Sequence, residues 1–240
     1  QIANNKVFGN ILTSPDLAYG GRLVIDGAVS NNEIYNNNII NTSAKSQLNG
    51  QSNHIHHNIF EGTLASPIKP VNIGNGFTLE AYFSAPTNNI IENNIIKDCD
   101  GMAFLIESGT SAKQITGNII RNNILFNCGI AEVGNVAIRV YNSLYNQNNT
   151  IQNNVIYYST ATNIINYRDA TMNVATFNTQ TLDAVSDNIS ENPLFVSASD
   201  YHLQTGSPAR NAGTTALSTK DYEGNTMDPT NPDIGIYEHQ

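Results

Sequence analysis

The chain has no tryptophan, only two cysteines in 240 residues, and just 13% charged residues. Two cysteines exclude a disulfide-dense scaffold and leave too few thiols for a cysteine-based zinc site. Lys and Arg number 11 against 20 Asp and Glu, a formal net charge of −9. That balance excludes the clustered basic surface on which phosphate-backbone binding depends, so nucleic acid is not an expected partner. No segment has the roughly 18 consecutive apolar residues of a membrane span. The first residues, "QIANNKVFGN", show neither a basic n-region nor an apolar h-region, so no signal peptide is expected in this chain. The absence of tryptophan counts against a dedicated carbohydrate-binding module.

What the chain has in excess is asparagine, at 38 positions. Asn favours turns and caps over helix interiors, which excludes an ordinary helical protein. Its interleaving with Ile, Val, Leu, Phe and Tyr excludes a disordered one. "NIIENNIIKDC" at 89–99 returns 29 residues later as "NIIRNNILFNC" at 118–128. Anchored on its second apolar position, the phrase recurs at Val7, Ile34, Ile55, Ile91, Ile120 and Ile151, at intervals of 27, 21, 36, 29 and 31 residues. The Ile34 copy carries one extra Asn. Periods of this size mark a solenoid. β-Branched, Asn-rich, turn-rich units fit neither helical repeats nor a leucine-rich repeat. The reading is an all-β, single-stranded, right-handed parallel β-helix of about six to seven coils over residues 1–187, expected to be truncated at its N-terminal end because the repeat begins at once.

Coils one strand spacing apart, roughly 4.8 Å, place equivalent residues over one another. Stacked Ile and Val then fill the interior, and Asn10, Asn58, Asn94, Asn123 and Asn154 run an amide ladder at a turn. Cys99 and Cys128 share an offset and stack on adjacent coils. Such a separation admits a disulfide, but buried free thiols are favoured.

From Asn188 the repeat stops, and "NPLF", "YHL", "GSPARNAG" and "DIGIYE" follow. This combination resembles the terminal module of secreted right-handed β-helix proteins of the pectate-lyase-like superfamily. The Asn-Ile coils resemble the same superfamily. The resemblance implies export from a bacterial or archaeal cell, to the medium or the cell surface, and a polysaccharide partner bound on an exposed sheet face. Residues 188–240 are expected to cap the solenoid, with Leu194, Phe195, Tyr201 and Leu203 plugging its last coil. Asp221, Glu223, Asp228 and Asp233 are read as a solvated loop, lacking the spacing of a calcium-binding hand.

Period-two alternation in "GFTLEAYF", "MAFLIESG" and "VAIRVYNS" predicts one outward column of Asp26, Glu80, Glu107, Arg139 and Arg168, with Tyr82 and Tyr141 beside it. Glu80, Glu107 and Arg139 are the candidate catalytic residues. Asp26, Tyr82, Tyr141, Arg168 and Lys113 are the candidate substrate contacts. Two carboxylates roughly 5 Å apart suit a retaining glycosidase. The same pair could hold Ca²⁺ on a uronate while Arg139 or a lysine removes the adjacent proton, which is lyase chemistry. The alternative is a non-catalytic adhesive solenoid. "HIHH" at 54–57 puts His54 and His56 on one face, but a third metal ligand is not evident there. It is read as structural substitution.

Overall fold

The computed structural model describes residues 2–13, 23–25, 29–40, 46–62, 77–79, 85–99, 101–107, 109–129 and 136–239. Two short strands joined by a two-residue corner and a third strand reached through longer loops make each coil, and each coil lays its strands onto those of the coil before, giving a parallel β-helix. Sheet I stacks Lys6–Phe8, Glu33–Tyr35, His54–His56, Ile90–Glu92, Ile119–Arg121, Thr150–Gln152 and Ala184–Ser186. Sheet II stacks Ile11–Thr13, Asn38–Ile40, Ile59–Glu61, Ile95–Lys97, Ile124–Phe126 and Val155–Tyr157. Sheet III stacks Val24–Ile25, Ser46–Leu48, Phe77–Leu79, Phe104–Ile106, Ile138–Val140 and Ile165–Tyr167, with Ala170–Met172 added antiparallel at its end.

The repeat anchors fall in one register, Val7–Ile34–Ile55–Ile91–Ile120–Ile151, and Val185 continues it where the sequence pattern is already faint. From Ile34 onward these side chains are buried in a single core with Ile39, Phe60, Ile96, Leu125 and Ile156 of sheet II and Leu48, Leu79, Ile106 and Val140 of sheet III. The extra Asn of the Ile34 copy does not shift its register: Asn38 occupies the first strand position of sheet II.

The "NN" doublets have a division of labour. The first residue takes a left-handed backbone, as at Asn36 (φ 53°), Asn93 (φ 51°), Asn122 (φ 55°) and Asn153 (φ 50°), a conformation Asn tolerates better than most residues. The second joins a ladder. Asn10, Asn37, Asn58, Asn94, Asn123, Asn154 and Asn188 are linked Nδ2 to Oδ1 at 2.9–3.0 Å, and each Oδ1 also accepts the preceding Asn backbone N–H. A second ladder, not anticipated, runs Asn5, Asn32, Asn53, Asn89, Asn118, Asn149 and ends on Asp183. A carboxylate ends such a row well. It only accepts, and its second oxygen takes the Tyr167 hydroxyl at 3.0 Å. Cys99 and Cys128 are buried and unbridged, as expected.

The C-terminal segment does not plug the last coil. Phe195 and Leu203 pair as an antiparallel bridge. With Tyr201, Ala209, Ile234 and Ile236 they cover Ile59, Ile95, Ile124 and Val155, the outward residues of sheet II; Leu194 is left partly exposed. The reason is visible in the repeat. "NII", "NIL" and "NVI" put apolar residues on both faces of each sheet II strand, so its outer face needs a cover. The end is closed instead by the hairpin Ile165–Met172 and a four-residue helix, Val174–Phe177, capped by Asn173 Oδ1 on the Thr176 amide. Phe177 is fully buried there, edge-on to Tyr167 at 5.6 Å. Phe177→Ala is expected to cost about 3 kcal/mol in denaturant unfolding, the low end for a buried aromatic. A cost near zero would mean that the helix does not close the core.

Candidate functional site

The outer face of sheet III carries the predicted site, and the register is resolved by three pairs. Thr78 lies against Leu105, Leu105 against Arg139, and Arg139 against Asn166. Arg139 therefore shares a column with Leu105. Glu107, two residues further along, falls level with Tyr141 and Arg168, whose amides bond to Ile106 and Val140 carbonyls. Glu107 and Arg139 are diagonal neighbours, and the single column expected from sequence is corrected to two. Asp26, Glu80 and Tyr82 lie outside the described residues.

Leu105 joins Met102 and Val136 in a small buried cluster, and Tyr141 packs against it. Over this apolar floor the Arg139 guanidinium lies on the Tyr141 ring, Cζ to centroid 4.6 Å, a cation–π contact. Arg139 Nε is buried without a hydrogen-bond partner among the described residues. Asn146 ties the strand ends together through the Glu107 and Tyr141 carbonyls at 3.3 and 2.7 Å.

Two candidate substrate contacts are built into loops. Arg168 and Asp169, both with positive φ, form the two-residue turn between Ile165–Tyr167 and Ala170–Met172. The Arg168 guanidinium is bonded to the Ser143 and Asn146 carbonyls at 2.8 and 2.6 Å. That commits it to holding the neighbouring loop. Lys113 closes the turn Thr110–Lys113 through mutual backbone bonds at 3.0 Å. No family model matches the chain, and no curated protein matches it.

The acidic residues of the C-terminal segment are staples. Asp221 accepts from the amides of Glu223, Asn225 and Glu238, and Asp228 from those of Thr230 and Asn231. Asp233 accepts from the Asn211 and His239 amides.

A second polar constellation lies on sheet I, where sequence reasoning stopped at a histidine pair. His54 and His56 project from one strand with rings stacked at 4.1 Å. Glu33, on the preceding coil, pairs in register with His54, and its Oε1 lies 3.2 Å from His56 Nε2. One ligand-type atom from each of Glu33, His54 and His56 falls within 4.8 Å of the others. Each histidine is held from its other side. His54 Nε2 is 2.8 Å from Glu92 Oε1, and His56 Nδ1 is 2.9 Å from His57 Nδ1. Burial, reinforced by His54, pulls His56 down to about 4; burial and the neighbouring His56 pull His57 down to about 3. Burial alone would raise Glu92, but His54 and Arg121 outweigh it and hold the carboxyl at about 2. Glu33 and His54 border a cleft of ≈ 380 Å³ with Asn31, Asn32, Ser52, Leu217 and Ser218.

Proposed function

We propose that the protein is an extracellular carbohydrate-active solenoid that binds an acidic polysaccharide along the outer face of sheet III. The observation that carries this reading is the Arg139 guanidinium held over the Tyr141 ring, Cζ to centroid 4.6 Å, beside the apolar cluster of Met102, Leu105 and Val136. An aromatic face packs on a sugar ring, and a guanidinium whose orientation is already fixed takes a uronate carboxylate with little further ordering. Cleavage on this face rests on Glu107, level with Tyr141, acting with Glu80, which follows Leu79 in the chain. By hydrolysis they would serve as acid/base and nucleophile. By elimination they would hold Ca²⁺ on the uronate carboxylate while Arg139 or a lysine takes the adjacent proton and the glycosidic oxygen departs. The resemblance of the Asn-Ile coils and the "NPLF…GSPARNAG…DIGIYE" segment to pectate-lyase-like β-helix proteins points the same way.

A non-catalytic, adhesive role is the second reading. It is favoured by Arg168, whose guanidinium holds a loop and so thins the charge available for chemistry on this face. Affinity electrophoresis on polyuronate and neutral gels separates binding from no binding, and product assays for unsaturated uronate ends and for reducing ends separate the two roles. Arg139→Ala is expected to weaken polyuronate retention roughly 10-fold or more, the worth of one charge-assisted bond, while the protein remains folded by far-UV circular dichroism. Retention equal on neutral and acidic gels, or unaffected by Arg139→Ala, would remove the basis for this reading.

A further inference from the structure

Three of the chain's five histidines sit in the single run His54–His57. Other coils place Ile90, Ile119 or Thr150 at the His54 position and Tyr35, Arg121 or Gln152 at the His56 position. At the corner, where His57 stands, they place Asn36, Asn93, Asn122 or Asn153. Those four asparagines each donate to a carbonyl of the C-terminal segment, at Tyr222, Gly235, Thr214 and Ala212. His57 does not; its ring is buried, Nδ1 faces His56, and Nε2 has no partner among the described residues. The third coil has thus exchanged a scaffold contact for an imidazole that holds another imidazole.

We propose that Glu33, His54 and His56 form a binding site for a divalent transition-metal ion, of which Zn²⁺ is the simplest probe. Two imidazoles and one carboxylate form a donor set that suits Zn²⁺, Co²⁺, Ni²⁺ or Cu²⁺ over Ca²⁺ or Mg²⁺, which prefer oxygen. The outer contacts match what metal-bound histidines need. Donation of the His54 Nε2 proton to Glu92 leaves that ring's lone pair on Nδ1. Donation of the His56 Nδ1 proton to His57 leaves its lone pair on Nε2, the atom beside Glu33. Three protein ligands leave a coordination position, and the cleft that Glu33 and His54 border gives it access to water or a small ligand. This site is on sheet I and stands independently of the polysaccharide face on sheet III.

The test uses the full chain freed of metal by a chelator. Calorimetric titration with Zn²⁺ is expected to show one saturable equivalent, and Co²⁺ to give visible absorption bands of a low-coordinate site. Glu33→Gln, at a side chain 32% exposed, is expected to keep the fold and weaken Zn²⁺ at least 10-fold. His54→Gln is expected to abolish the Co²⁺ bands. His239→Gln is the control for the other cluster, Asp233, Glu238 and His239, and is expected to change nothing. Circular dichroism of each metal-free variant confirms folding, and Glu33→Gln decides alone if His54→Gln unfolds. Absence of saturable binding, binding unchanged in Glu33→Gln, or binding lost in His239→Gln overturns the assignment.

Discussion

Asn123→Ala is expected to destabilise the protein by about 4–6 kcal/mol, more than most single substitutions do. Asn123 is fully buried. Its Nδ2 donates to Asn154 Oδ1, Ile91 O and Arg121 O at 2.9–3.0 Å, while its Oδ1 accepts from the backbone and side chain of Asn94. Alanine strips those partners at once in a place water does not reach, and each buried orphan costs about 1–3 kcal/mol. The ladder also polarises in one direction, every Nδ2 donating toward the C-terminal coils, so a break in its middle weakens both halves. Asn10→Ala removes chemically similar bonds at the exposed first coil and is expected to cost less than about 1 kcal/mol. Guanidinium unfolding followed by far-UV circular dichroism reads both. Equal costs for the two would show that burial does not set the value of a rung.

The register of sheet I could be read directly, because each copy joins its anchor Ile to a ladder Asn by a fixed three residues. Sheet III could not be placed this way. The gap between the end of a sheet II strand and the start of the next sheet III strand holds 15 residues between Glu61 and Phe77, 6 between Lys97 and Phe104, 11 between Phe126 and Ile138 and 7 between Tyr157 and Ile165. Counting from the Asn-Ile phrase therefore loses its meaning across that loop, and Arg139 slid by two residues relative to Glu107. The second ladder has doublets of its own at 4–5, 31–32, 88–89 and 148–149, but Ser52 and Gly117 interrupt the series, so its signal in the sequence is fainter. Glu33 was also within reach. Once Ile34 is stacked on Ile55, the residues before them must be neighbours, so Glu33 stands beside His54 although the two are far apart along the chain. The lateral packing of residues 188–240 follows from paired apolar residues in "NII" and "NVI", which say that sheet II is covered on both sides.

Glu92→Ala is expected to cost about 3–5 kcal/mol, the usual result of removing one member of a buried charged pair. The Glu92 side chain has no exposed surface. It accepts from Arg121 Nε at 2.7 Å, faces His54 Nε2 at 2.8 Å, and takes the Leu217 and Ser218 amides at 2.8 and 3.2 Å. It therefore joins three stacked coils to the returning C-terminal segment. Alanine leaves an unpaired guanidinium, 17% exposed, and two amides without an acceptor. Glu92→Gln keeps an acceptor for the amides and is expected to cost about half as much. The two substitutions also separate in acid. With its folded carboxyl at about 2 against 4.5 when unperturbed, Glu92 contributes its full ionic stabilisation above about pH 4.5 and loses it as pH falls through 2. In chelator, the stability gap between the wild type and Glu92→Gln should close as pH falls from about 4.5 towards 2. A gap that stays constant down to about pH 2 would mean that hydrogen bonding, rather than charge, is what Glu92 supplies.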